Sequence, residues 1–480
     1  MAAWRSLKTE RFSARISCAI ALAGCFFAAP VTHAQSQAPA QPSPVQLASV
    51  DRIYEDPQST PGKTVLSADD EKFLDDIEQR GLRFFIDESD PTTGLIRDRA
   101  NAHGGVGNQS DDVASIASVG FGLTAYCIGA ERGWMTKQDA YDRSLRVIKF
   151  MHDRAPAMHG TFYHFLNMRT GSRMWQCEVS NIDTALLMTG VITARQYFPN
   201  TELAKVADDL YQNVDWPWLL TPDGPLWMGY RPERGHEPAK WENFCEGPMI
   251  YLLAMGSHKH PLSASAWGVW RRWPIEKYDG LTFMSCPPLF THQYPQCWYD
   301  LRGLRDDYAD YFRDSQLATI AQRQWCMNDL SKRFSDYGPN LWGLTASDYD
   351  GGYTAWGGPP EQGNIDGTVV PTAAGGSVAF EPRLCLDCLE SMKKSFKDAY
   401  QKYGFVDSFN PQKAWYNSDV LGIDVGPMVL MAENCRSGFV WKTFMSAPEA
   451  QAAIKEAGFR PLSEEEKSSL SNSSMFYKGN

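Results

Sequence analysis

The sequence predicts an all-α protein, most simply a toroid of helical hairpins whose loops build a cleft at one end. Three observations carry that expectation. Helix-period apolar patterns recur along the 480 residues. No segment alternates apolar and polar residues for long enough to make a sheet core. The stretches between helices are long and dense in Gly, Pro, Trp and Tyr, as in 216–240 and 336–382. The same pattern also suits a two-domain helical protein, because periodicity does not fix how helices assemble.

Taken in order, the chain begins with a basic stretch ending at Arg15, an apolar run from Ile16 to Val31, and Thr32-His-Ala34. Residues 1–34 therefore read as an export signal, its small-x-small end a cleavage site. The apolar run is too short to span a membrane comfortably. Leu22-Ala-Gly-Cys25 offers a second reading, a bacterial lipobox, in which residues 1–24 are removed and a lipid on Cys25 is the sole membrane anchor. The expected location is periplasmic or secreted, or membrane-tethered outside the cytoplasm in the second case. Residues 35–67 form a flexible leader, rich at first in Gln, Pro, Ala and Ser. Ser67 then starts a helix with an acidic first turn. Helices are expected at roughly 68–86, 113–131, 136–152, 180–197, 201–213, 243–256, 307–330, 383–402, 426–436 and 447–457. No composition break divides 68–465, so it reads as one domain, followed by a polar tail at 466–480.

Charge and motif content narrow the function. Net charge is −11, and the first 34 residues hold four bases and one acid, so their removal leaves −14. Such a surface suits neither nucleic acid nor an anionic membrane, but tolerates a neutral glycan. Of eleven cysteines, nine lie beyond the leader. Cys385-Leu-Asp-Cys388 lacks partner Cys or His residues for zinc. His152, His159, His164 and His236 have no metal-ligand spacing, and no P-loop, H-E-x-x-H, G-x-S-x-G or EF-hand loop is present. No metal and no cofactor are expected.

Carboxylates carry the chemical signal. Glu178-Val-Ser-Asn-Ile-Asp183 and Trp241-Glu-Asn-Phe-Cys-Glu246 each lead into an apolar stretch that reads as a buried helix. An ionised carboxylate is costly to bury unless it is paired or hydrogen-bonded. Acids placed so, among many aromatics, suit hydrolysis of a glycosidic bond. Each acid taken alone could equally cap its helix. Glu178 and Asp183, five apart, do not share a helix face at 3.6 residues per turn. If Glu178 precedes the helix, both can still line one cleft. The aromatic fraction is 12%, with 16 Trp. Loop positions such as Trp216, Trp218, Trp227, Tyr230, Trp298, Trp342, Tyr353 and Trp356 could offer flat faces to sugar rings or simply fill a core. Further loop acids are Asp300, Asp348, Asp366 and Asp424, each beside turn-forming residues.

Several blocks, in one order, resemble a known family. They include Gly94-Leu-Ile-Arg-Asp98-Arg99, Gly160-Thr-Phe-Tyr-His164-Phe165, Glu178 to Leu187, Trp241 to Leu253, Phe290-Thr-His292, Trp342 to Asp348, Asp366 to Pro371, Tyr403 to Asn410 and Gly422 to Pro427. The chain is similar over roughly 70–460 to the glucoamylase-like group that includes glycoside hydrolase family 144, the bacterial β-1,2-glucanases. The resemblance implies an (α/α)6 barrel, a cleft for β-1,2-glucan or its oligosaccharides, anomer inversion without a cofactor, and Glu246 as general acid. Glu178 and Asp183 are then candidates for the base. Arg99, His164, Trp241, Asp300, Arg302, Trp342 and Asp348 are candidates for binding the sugar. Gln176-Cys177 before Glu178, and Gly247-Pro248 after Glu246, depart from the group's pattern. An exo-acting hydrolase or transglycosylase on another β-glucan, or a glycan-binding protein, remains the alternative.

Overall fold

The structure, a computed structural model, describes residues 66–469 apart from 106 and 108–111. The expected export segment 1–34, Cys25, most of the expected 35–67 leader and the tail beyond 469 lie outside the described residues.

Six helices are buried on nearly every side, as the wall of a barrel interior requires, and most of them are apolar all round. They are α2 (Ile116–Glu131), α4 (Asn181–Tyr197), α6 (Pro248–Gly256), α7 (Phe290–Trp298), α9 (Pro371–Gly375) and α11 (Gly422–Arg436). Others bury less of themselves and face solvent on one side: α1 (Ala68–Asp87), α3 (Lys137–Asp153), α5 (Glu202–Gln212), α8 (Tyr311–Asn328) and α10 (Pro382–Ser395). Inner and outer helices alternate along the chain, and α11 returns to pack on α1 and α2. This is the (α/α)6 arrangement. Between α6 and α7 the outer position holds only a 3₁₀ turn, Ala264–Gly268. There α13 (Pro448–Glu456) packs on α6 instead, after the short α12 (Phe439–Met445).

Two glycines set the closest helix crossing. A Cβ on Gly120 of α2 would lie 2.0 Å from the Leu186 carbonyl oxygen, and one on Gly190 of α4 would lie 2.1 Å from that of Gly120. Only glycine fits at either position.

The inner helices begin at one end of the barrel, where strands of two to four residues tie their approaches together. Val113–Ser115, before α2, pairs with Phe165–Asn167; Val179–Ser180, before α4, with Gly229–Arg231; and Asp419–Leu421, before α11, with Arg99–Asn101. Serine caps sharpen two of these starts: Ser115 accepts from the Ser118 N–H and Ser180 from the Asp183 N–H.

The expected helices are present, with several boundaries moved. The segment 113–131 starts helical only at Ile116, and 243–256 only at Pro248, so Glu246 lies in the turn ahead of its helix. Helix α11 starts at Gly422, four residues earlier than expected, with Pro427 inside it. Helices α7, α9 and α12 were not expected: Pro295 interrupts the helix signal of α7, and α9 and α12 are only five and seven residues long. A last helix, α14 (Glu464–Ser469), crosses the expected start of the tail, and Glu466 accepts from Arg305 and Arg460.

Candidate active site

At the loop-bearing end, charged side chains that the surface would normally keep are buried around the mouths of α4, α6 and α11. One group forms around His164. Its Nδ1 lies 3.0 Å from Glu178 Oε1, and its Nε2 3.5 Å from Asp183 Oδ1. Burial works against a charge on this imidazole, but Asp183 and Glu178 outweigh it and raise its pKa to about 9. Glu178 is desolvated too, yet His164 and Arg231 Nη2, 2.6 Å from Oε2, hold its carboxyl down at about 2. Asp183 sits in the first turn of α4, where the Ser180 hydroxyl donates to its Oδ2 at 2.5 Å. Burial raises its pKa, with His164 and Ser180 opposing.

Glu246 differs from these. It is 2% exposed, and its Oε2 has no hydrogen-bond partner. Burial, joined by the nearby Asp183 charge and opposed only by a backbone hydrogen bond, raises its pKa to about 7. A carboxyl in this state carries a proton near neutral pH and has no protein group to give it to.

The other group surrounds the start of α11. The carboxyls of Asp407 and Asp424 are in hydrogen-bonding contact, and burial pushes both above the usual range. Two like charges so close cannot both ionise, so the pair shares a proton. Asp407 Oδ2 also accepts from the Asp348 N–H (2.7 Å) and Asn417 Nδ2 (3.0 Å). Asp348 Oδ2 in turn accepts from Arg99 Nη1 at 2.6 Å and Asn417 Nδ2 at 3.1 Å, and Arg99 Nε reaches Asp98 Oδ2 at 3.2 Å. The two groups belong to one site. The Asp98 charge acts on His164, Asp183 and Asp424, and the Tyr294 phenol feels both Asp424 and Glu246.

Several expectations about individual residues change. Glu178, Asp183 and Glu246 do come together, because Glu178 lies ahead of the helix rather than on it. Arg99, His164 and Asp348 are at the site as well, although all three are engaged in buried ion pairs. Trp342 is fully buried and Trp241 is 3% exposed, its Nε1 donating to Asn181 Oδ1, so neither ring is a platform. Trp216, Trp298 and Trp356 are core residues too. Asp300 and Arg302 are misplaced by the expectation. They follow the C-terminus of α7, pair with each other at 2.8 Å, and Arg302 lies over Trp441 of α12. That is the far end of α11 from Asp424, about 20 Å away at 1.5 Å per residue.

Sequence reasoning missed Asp407 and Asn417 as site residues, and named Tyr353 only among the loop aromatics. The Tyr353 phenol is raised by burial and by the Asp424, Asp407 and Asp348 carboxylates. Asp424 was noticed only as a turn-forming acid.

Known proteins share this architecture. A protein-family model described as "Putative glucoamylase" matches residues 238–448. The solved structure of a putative glucoamylase from Bacteroides caccae is 30% identical, with a TM-score of 0.77, over 82% of this chain and 100% of the other. The chain belongs to this glucoamylase-like family. Within the family's reach is an endo-β-1,2-glucanase from Chitinophaga pinensis, solved with sophorotriose and glucose. It is 29% identical with a TM-score of 0.75, over 82% of this chain and 99% of that one. An exo β-1,2-glucooligosaccharide sophorohydrolase (non-reducing end) of Parabacteroides distasonis is 28% identical over 440 residues, 83% of this chain. The chain spans only 59% of that relative's length.

Proposed function

We propose that this glucoamylase-like protein is a glycoside hydrolase that cleaves β-1,2-glucan by carboxylate acid/base catalysis, with inversion at the anomeric carbon and no cofactor. The observation that carries the reading is Glu246, a buried, protonated carboxyl whose Oε2 has no partner in the protein. Glu246 gives its proton to the departing glycosidic oxygen. Asp424 accepts a proton from the attacking water, directly or through a substrate hydroxyl, while Asp407 keeps the proton they share. Asp183 holds Glu246 protonated by its charge. Glu178, engaged by two cations, positions His164 and is a poor base. Arg99 and Asp348 fix the Asp407–Asp424 pair and reach the sugar only at its edge.

Support for the substrate comes from the two β-1,2-glucan relatives, one named as endo-acting and one as exo-acting. We take the endo reading, because the chain matches the endo enzyme over nearly its whole length and the exo enzyme over little more than half. The exported location expected from residues 1–34 belongs to the same proposal.

Thin-layer chromatography of products from linear β-1,2-glucan tests this, with Glu246→Gln beside the wild type. A ladder of oligosaccharides early in the reaction is expected from the wild type, and nothing from the variant. Sophorose alone from the outset would make the protein exo-acting. No sugar released from the wild type would overturn the hydrolase reading.

A further inference from the structure

Just ahead of Glu178 the backbone does something unusual. Trp175 and Gln176 both adopt left-handed conformations, at φ 51° and 53°. Bulky non-glycine residues rarely hold this region unless their surroundings force it, and such strain gathers at functional sites. Here the forcing groups are two arginines. The Gln176 carbonyl accepts from Arg173 Nη2 at 2.7 Å and from Arg231 Nη1 at 2.6 Å, and Arg173 Nε donates to the Cys177 carbonyl at 2.6 Å. Arg173 is itself anchored by both oxygens of Glu233. Arg231 donates from Nη2 to Glu178 and from Nε to Glu237, so one guanidinium fixes both the strained turn and the site carboxylate.

The turn presents an indole. Trp175 is only partly buried and meets Phe165 edge-on, with centroids 5.3 Å apart at 63°. Phe165 stacks on His164 at 3.8 Å and 15°. Trp175 therefore stands one ring out from the His164 carboxylate cluster. Glycine at this position would remove the strain at Trp175, so the indole is kept there at a conformational cost.

We infer that Trp175 is a sugar-binding platform at the rim of the cleft, its indole stacking on the C–H face of a glucosyl residue of a β-1,2-linked chain. This rests on the hydrolase reading. The ring supplies apolar area, and the arginine-held turn keeps it oriented before substrate arrives, so little ordering remains to be done on binding.

Steady-state kinetics on linear β-1,2-glucan, with melting temperatures measured alongside, test the assignment on Trp175→Ala, Trp175→Gly and Trp175→Phe. Loss of the ring in the Ala and Gly variants should raise KM about tenfold with kcat within about twofold. The Phe variant should recover most of the loss. Trp175→Gly relieves the strain and should melt at or above the wild-type temperature, which separates the ring from folding. An active wild type with KM unchanged in the Gly variant overturns the platform and leaves the hydrolase standing. A wild type that releases no sugar overturns both.

Discussion

His164 and Glu178 form a buried ion pair, Nδ1 3.0 Å from Oε1, with Asp183 3.5 Å from the ring's other nitrogen. Removing the cation between two buried carboxylates leaves Glu178 with Arg231 alone and Asp183 with the Ser180 hydroxyl. We expect His164→Gln to cost about 3–5 kcal/mol of stability at pH 6, read by chemical denaturation. The imidazole pKa is raised from the ordinary 6.5 to about 9 in the folded protein. Its contribution is therefore fully present below about pH 6.5 and lost as pH rises through about 9. The gap between wild type and variant should narrow at pH 9.5 and above. An equal gap at both pH values would mean that the ring is neutral.

Glu246 carries the opposite bargain between stability and chemistry. Its pKa of about 7 lies above the ordinary 4.5, so the folded protein favours the neutral acid. That preference helps folding below about pH 4.5 and is lost as pH rises through 7. A neutral amide escapes the loss. Glu246→Gln should be more stable than wild type at pH 8, by on the order of 3 kcal/mol, while releasing no sugar. The wild-type kcat/KM should fall as pH rises through about 7, since the general acid must be protonated. A variant that is less stable at pH 8 would show that the carboxylate is solvated and the acid is elsewhere.

What could be read from the chain followed from how local each signal is. Helix α4 declares itself, because Ser180, Asp183 and the apolar run after them are contiguous. Glu246 was found through its neighbours in sequence, although the helix it was expected to open begins two residues later. The Asp407–Asp424 pair was hidden for the opposite reason: it joins a loop before Phe409 to the start of α11, and nothing within either segment hints at the other. Trp342 misled in the same way. A Trp beside Gly in a long loop looks like a surface platform, whereas the loop that carries Trp342 folds inward and buries its ring. Arg302 had a Trp-Tyr-Asp context much like a binding loop, but α7 carries it to the far end of the barrel.

That displacement gives a sharp control. Arg302 pairs with Asp300, both about 30% exposed, and lies 4.2 Å from the centroid of Trp441. Arg302→Ala should leave kcat and KM for β-1,2-glucan unchanged and cost about 0–1 kcal/mol of stability. A rise in KM would return this pair to the substrate.

Asp407 and Asp424 decide the acid side of the pH profile. Asp407 Oδ2 is occupied by the Asp348 N–H and Asn417 Nδ2, which leaves Oδ1, buried and without an N–H partner, to meet Asp424. Facing Asp424 besides are Asp348, Asp98, Arg99, Tyr294 and Tyr353. In Asp407→Asn the amide oxygen can keep the two accepted bonds while its nitrogen donates to Asp424. Asp407 holds the proton the pair shares, so a neutral donor faces the ionised Asp424 in either protein, and the hydrogen bond that lowers the Asp424 pKa is kept. The acid limb of kcat/KM should therefore stay within about half a pH unit of the wild type, with activity retained near neutrality. Asp424→Asn should abolish turnover at every pH, because no carboxylate is left to take the proton from water. An acid limb that moves down by about a unit or more in Asp407→Asn would mean that Asp407 is itself ionised in the wild type and is the base in place of Asp424.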